Sequence, residues 1–328
     1  MNRLPRFAPW VLFALAGCFC VAVCHLRMIP ILPTVSAAVA GAQDQAPQDQ
    51  GQDPAAVNMA PSGPSYTTEA PPPPDEASAP GESPDDSGYA EQPTATAPEP
   101  PPALPDYQQP PPPGDGYLWQ PGYWAWGPSG YYWVPGAWIE PPYMGALWTP
   151  GYWGFYSGRY MFYPGHWGQH IGFYGGINYG FGYIGLGYEG GYWNGGHFFY
   201  NRVYNNVNVR SVHNVYHYNA GNRVSSLARG NINPHTSYRG GNGGVQARPQ
   251  PSEGAAWHEP TASRMTSQVQ HAQQFQSNRG QSASTNHGRP ATMAISKPLP
   301  ADRNVKPTVR AQGNSTPNRG GSEREEHK

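Results

Sequence analysis

The chain has little of what an ordinary globular core is built from. Leu, Ile and Val are sparse over its 328 residues, while Gly (41) and Pro (40) together make up nearly a quarter of them. Such a composition excludes an aliphatic core over most of the length and favours low-complexity segments. Cysteine is confined to Cys18, Cys20 and Cys24, all inside one N-terminal apolar stretch. A chain that has lost that stretch carries no thiol, which excludes a disulfide framework and a cysteine metal site. Between residues 41 and 113 there are 12 acidic residues and no Lys or Arg. The longest apolar run, Trp10 to Cys24, has 15 residues, fewer than the roughly 20 a membrane-spanning helix needs.

Patterns for hydrolytic, zinc-dependent or phosphate-binding chemistry are also missing: there is no G-x-S-x-G, H-E-x-x-H or phosphate loop. Residues 114–218 hold only three carboxylates, Asp115, Glu140 and Glu189, and the first two flank expected turns, where solvated charge is ordinary. His166 and His170, and likewise His213 and His217, stand four apart, on one face of a strand. Without Cys, and with few carboxylates, a closed metal site would have to be almost entirely His, so hydrogen-bonded or interfacial His is the better reading. The expectation is a non-enzyme with no metal and no cofactor.

What the chain does have is a repeated phrase. Trp119-Gln-Pro-Gly-Tyr-Trp124, Trp133-Val-Pro-Gly-Ala-Trp138, Trp148-Thr-Pro-Gly-Tyr-Trp153 and Phe162-Tyr-Pro-Gly-His-Trp167 place Gly122, Gly136, Gly151 and Gly165 at intervals of 14, 15 and 14. A fixed period decides the fold class before any local reading does. Around it, 33 of the 105 residues from 114 to 218 are Trp, Tyr or Phe. These residues favour strands and bury large areas, so a small sheet can be stable without aliphatic residues. Pro-Gly suits a type II turn rather than the primed turns of tight hairpins. The turns are therefore expected between the copies, at Gly127-Pro-Ser-Gly130, Pro141-Pro-Tyr-Met-Gly145 and Tyr156-Ser-Gly158. Each copy becomes one strand of 9 to 10 residues, with its Gly at positive φ in a bulge that brings both Trp to one face. The fold expected is mainly β: a small antiparallel meander of aromatic repeats flanked by long disordered arms.

From residue 168 to 201 the phrase dissolves into Gly-aromatic alternation, read as irregular β, with Trp193-Asn-Gly-Gly-His-Phe198 as a worn fifth copy. Residues 202–218 read as one or two edge strands. Four segments result. Residues 1–40 carry Arg3 and Arg6, the apolar run and Ala38-Val-Ala40, and fit a cleaved export signal. Two alternatives stay open there: an uncleaved membrane anchor, and Leu15-Ala-Gly-Cys18 as a lipidation box with Cys18 as the modified residue. Residues 41–113 form an acidic, Pro-rich, extended spacer. Residues 114–218 are the repeat domain. Residues 219–328, with 14 basic and 6 acidic residues, form a basic disordered tail, with one short helix over 261–278 on the spacing of Met265, Val269, Ala272 and Phe275.

The four phrases resemble the bacterial W-x-x-G-x-W (also Y-x-W-G-x-W) repeat family of exported proteins, closely over residues 117–167, with Phe162 in place of the first Trp of the fourth copy. The resemblance implies an exported location, periplasmic, envelope-associated or extracellular, and brings no established activity and no catalytic residue. On the residues themselves, a single sheet with aromatics on both faces cannot bury both. Trp119, Trp124, Trp133, Trp138, Trp148, Trp153 and Trp167 are accordingly expected to offer a structural or interaction surface. The alternative is stacking on cell-wall glycan. The expected partner is an envelope component, a glycan or a second copy of the chain, not nucleic acid.

Overall fold

The computed structural model describes residues 53–62, 92–221 and 234–309. The export-signal readings, Cys18, most of the acidic spacer and the end of the basic tail lie outside them. Strand is the dominant element, in small antiparallel sheets. In chain order the strands are β1 (Ala95–Ala97), β2 (Leu118–Gln120), β3 (Tyr123–Gly127), β4 (Gly130–Val134), β5 (Ala137–Ile139), β6 (Leu147–Thr149), β7 (Tyr152–Tyr156), β8 (Arg159–Tyr163) and β9 (His166–Gly168). They are followed by β10 (Asn178–Gly180), β11 (Tyr183–Ile184), β12 (Gly191–Asn194), β13 (His197–Asn201), β14 (Val215–Tyr216) and β15 (Tyr238–Arg239).

Each repeat is an extended segment interrupted at its own Pro-Gly. Copies one and two form one hairpin: β2 pairs with β5 and β3 with β4, and the ladder stops between Gln120↔Ala137 and Tyr123↔Val134, where Pro121-Gly122 faces Pro135-Gly136. Copies three and four repeat the arrangement, β6 with β9 and β7 with β8. Pro has no N–H to give a ladder, so it is tolerated where the ladder is already open. The turns fall at Pro128-Ser129 and Ser157-Gly158, as the composition between the copies indicates; Ser157 and Gly158 both have positive φ (48° and 78°), as a type I′ turn requires. Residues 141–145 instead connect the two hairpins, and no ladder joins copy two to copy three.

Positive φ at the repeat glycines is not found. Gly122, Gly136, Gly151 and Gly165 are absent from the left-handed region, which Gly130, Gly145 and Gly158 occupy. Their need for glycine is steric instead, because the two backbones of each hairpin cross there at close range. With no bulge to realign them, the two Trp of a copy enter different clusters. Trp119, Trp138, Trp148 and Trp167 share one core with Ile171, Tyr174, Tyr183 and Tyr200, while Trp124, Trp133, Trp153 and Phe162 share another with Tyr131 and Ala97.

The flanks correct the expectation further. Residues 92–113 and 234–309 lie against the hairpins, because the sheets leave acceptors, donors and apolar faces that these segments reach. β1 pairs with β8, and β15 runs parallel to β7, so both outer edges of the second hairpin tip are taken. Residues 293–299 run beside β5, through Gly136 N–H to Met293 O (3.0 Å), Ile295 N–H to Gly136 O (2.9 Å) and Leu299 N–H to Trp138 O (2.8 Å). Ala262 exchanges two backbone bonds with Trp167. The helix expected over 261–278 spans Thr266–Gln276, with Met265 at its N-cap, and buries Gln268, His271, Ala272 and Phe275. Covering a sheet edge in this way removes its template for further pairing.

Gln268 closes the assembly. Its Nε2–H donates to Gln120 Oε1 of the first hairpin (2.7 Å), and its Oε1 accepts from Trp167 Nε1 of the second (2.9 Å) and from Met265 N (2.9 Å). It is 1% exposed. Gln268→Ala leaves several buried groups unmatched, each costing about 1–3 kcal/mol. Its urea midpoint is expected to fall well below that of the exposed control Gln246→Ala, and equal midpoints would mean the hairpins do not depend on this bridge.

Candidate functional site

The motif residues meet at two crossings, and each has a distinct role. A Cβ on Gly122 would lie 2.3 Å from Trp133 Cζ2 and 3.1 Å from Gly136 N; one on Gly136 would lie 2.5 Å from Trp119 Cζ2 and 3.1 Å from Gly122 N. The second crossing is tighter: Cβ positions on Gly151 and Gly165 come within 2.8 Å of each other's backbone nitrogens, with Phe162 Cζ and Trp148 Cζ2 at 2.9 and 2.5 Å. The first aromatic of each copy therefore lies against the glycine of the partner copy. The second Trp pairs across the ladder with that same first aromatic. Trp119–Trp138, Trp124–Trp133, Trp148–Trp167 and Trp153–Phe162 have ring centroids 5.2, 5.3, 5.1 and 5.3 Å apart, all inclined. Such pairs contribute about 0.5–1.5 kcal/mol each beyond area burial.

The second Trp of each copy also reaches outside its own hairpin with its indole N–H. Trp124 donates to Ala103 O (3.1 Å), Trp138 to Pro110 O (2.7 Å), Trp153 to Trp124 O (2.8 Å) and Trp167 to Gln268. All seven Trp expected to form an exposed surface are at most 3% exposed. The reading of them as a stacking platform is corrected accordingly. The flanks cover both faces, so the rings are core and the repeat sheet offers no exposed Trp ladder.

The histidines are dispersed. His170 Nδ1 sits 2.8 Å from both oxygens of Glu259, His213 Nδ1 2.8 Å from Asp115 Oδ2, and His166 is buried. Partial burial works against ionisation of Asp115, but bonds from His213 outweigh it and hold the carboxyl below its usual range. Among the described residues no three His, Cys, Asp or Glu side chains gather as metal ligands, and no helix is long and apolar enough to cross a membrane.

Among the described residues two carboxylates are buried, Glu189 and Glu253, and burial pushes each up to about 7; for Glu253 the N–H of Gln250, 2.8 Å from Oε2, offsets part of the effect. Glu253 was not singled out by the sequence; the structure places it as the third residue of a short helix, Pro251–Trp257. Neither residue lines the two clefts beside the repeat hairpins, one at Gly151 and Gly165 and one at Tyr107 and Phe181.

The fold and this arrangement define an aromatic-core repeat protein whose motif is a pairing device. Residues 114–138 match the family model described as the WXXGXW repeat, in two copies, and those residues include the first hairpin short of its last residue, Ile139. The chain thus carries WXXGXW repeats, and the second hairpin, outside the matched residues, reproduces their geometry. No curated protein and no solved structure matches the chain.

Two measurements follow from this geometry. Gly136→Ala must displace the Trp119 ring or the facing backbone and is expected to cost about 1–3 kcal/mol. Gly114→Ala, where a Cβ meets nothing within 4 Å, is the control and should leave the urea midpoint almost unchanged. The second concerns pH. A carboxyl raised from 4.5 to about 7 on folding binds more protons in the folded chain, so its stabilisation is complete below pH 4.5, is lost as pH rises to about 7 and is level above. Glu253→Gln should flatten part of that decline in a series of thermal melts. A decline of unchanged depth would show that Glu253 titrates normally.

Proposed function

We propose that this is an exported, non-enzymatic protein of the cell envelope, in which paired WXXGXW hairpins form a structural scaffold for the arms that run from it. The observation that carries this reading is the destination of the motif. Every defining position of the phrase, both aromatics, the Pro and the Gly, serves to hold one copy to another or to fasten the flanks. Nothing in the motif is left over for a substrate. The buried carboxylates and the dispersed His pairs support the same reading, since acid–base chemistry needs such groups gathered in a cleft. The family resemblance and the N-terminal residues 1–40 support export to the periplasm, the envelope surface or the medium. The partner in this reading is an envelope component, a glycan or another copy of the chain, held by surfaces other than the Trp ladder.

Expressing the full chain with a C-terminal tag in an export-competent bacterium, then separating cytoplasm, periplasm, membranes and medium, tests it. Recovery outside the cytoplasm is expected. A chain that stays in the cytoplasm would overturn the envelope assignment, whatever the fold.

A further inference from the structure

A cleft of about 170 Å³ opens beside the first hairpin, bordered by Tyr107 of the N-terminal flank, Asn178, Tyr179 and Phe181 of the β10–β11 hairpin, and Asp106 and His235. Phe181 is its anomaly. It occupies the first central position of the turn that joins Gly180 to Tyr183, with φ 53°, followed by Gly182 at φ 94°. A turn with two positive φ values calls for Asn, Asp or Gly at that first position. A large aromatic residue there is strained, and such strain persists where the surroundings over-determine it and marks functional positions. The ring is packed against Tyr107 (centroids 5.0 Å apart) and Trp119 (5.6 Å). The residue is only half-buried, and it borders the cleft.

The rim supplies polar groups of both kinds. Asn178 Oδ1 is engaged by Gly180 N–H (3.0 Å), which orients the side chain and leaves the Nδ2 amide as donor. The Asp106 side chain is 93% exposed, with His235 Nδ1 3.8 Å away, and offers carboxylate acceptors. The Tyr107 hydroxyl accepts from Gly122 N–H (2.8 Å), which fixes the ring that forms the apolar wall.

We propose that this cleft binds one uncharged pyranose unit of a glycan, its C–H face against Phe181 and Tyr107 and its hydroxyls on Asp106 and Asn178. A sugar ring needs one apolar wall together with donors and acceptors at its edge, and this pairing of requirements is what the cleft offers. The rim carboxylate disfavours anionic ligands such as nucleotides. The walls are aromatic rings packed on one another rather than a cage around a point, which suits a flat ring better than a quaternary ammonium. The site abuts the first crossing, where Gly122 and Trp133 also line it, and it is independent of the scaffold reading, which stands or falls on location.

Calorimetric titration of the full chain with chitotriose, cellotriose and maltotriose, and with choline chloride and AMP as competing chemistries, tests it. At least one trisaccharide is expected to saturate with a Kd of about 1 mM or tighter. Asp106→Ala, at an exposed side chain, should weaken that binding about tenfold without moving the melting temperature, and Phe181→Asn, which suits the turn, should also weaken it. No saturation by any trisaccharide, preference for choline or AMP, or undiminished binding by Asp106→Ala would overturn the proposal.

Discussion

Two polypeptide backbones that come close enough to exclude a Cβ govern this structure. At Gly122–Gly136 and Gly151–Gly165 the partner strands cross with glycine on both sides, and the space a side chain would take is filled by an indole or phenyl ring from the opposite copy. The spacing of the phrase follows from this. The first aromatic must stand three residues before its own Gly so that, across an antiparallel pair, it meets the Gly of the partner. The second must stand two residues after its Gly so that it faces that partner's first aromatic across the ladder. Pro precedes Gly because the ladder is open there and an N–H would have no strand acceptor. A single copy satisfies none of these conditions, and copies come in pairs because the contacts are reciprocal.

A hairpin built this way is aromatic on both faces and cannot stand alone in water. Two kinds of flank complete it, each suited to its task by composition. The Pro-rich stretch before the repeats is extended and makes few backbone bonds of its own, which leaves carbonyls such as those of Ala103 and Pro110 to accept indole N–H groups. The segment after the repeats brings amides: Gln268 joins the hairpins, and Gln281 donates to Trp133 O and Thr292 O and accepts from Thr292 N. Buried Trp needs such acceptors, since each indole carries one donor that burial would otherwise leave unmatched.

The repeat, the two turns inside its hairpins and the mainly β character were legible because they rest on local rules: a period, turn residues, and the poor fit of Pro-Gly to a tight hairpin. The role of the glycine was not. Positive φ and close approach both select Gly, and only the position of the facing strand separates them. Trp193-Asn-Gly-Gly-His-Phe198 makes the same point from the other side. Its spacing copies the motif, yet Gly195 and Gly196 have positive φ (56° and 82°) and form the turn itself, so Trp193 faces Phe198 directly. The missing Pro was the readable difference. The order of the flanks was hidden for another reason: weighing each segment alone finds too little apolar area for folding, whereas their contacts are with rings supplied elsewhere in the chain. Gln268 did leave a trace, as a polar residue three positions after Met265 and four before Ala272, inside the helix's apolar stripe.

The Gly-rich stretch after the repeats shows what an aromatic core can do that an aliphatic one cannot. Gly-dense backbone forms few ladders, so its carbonyls, and those at the repeat interruptions, need donors from elsewhere. Tyrosine supplies them while burying its ring. Tyr179 donates to Gly151 O at the second crossing (2.7 Å), Tyr183 to Trp148 O (2.7 Å), Tyr174 to Gly187 O (2.9 Å) and Tyr200 to Tyr117 O (2.8 Å). Burial raises all four phenols above their ordinary value, which keeps them protonated and able to donate. A Leu at any of these positions would fill similar space and leave a carbonyl without a partner. The scarcity of aliphatic residues and the abundance of Tyr are thus one requirement: a backbone this rich in Gly and Pro has to be satisfied by the side chains that form its core.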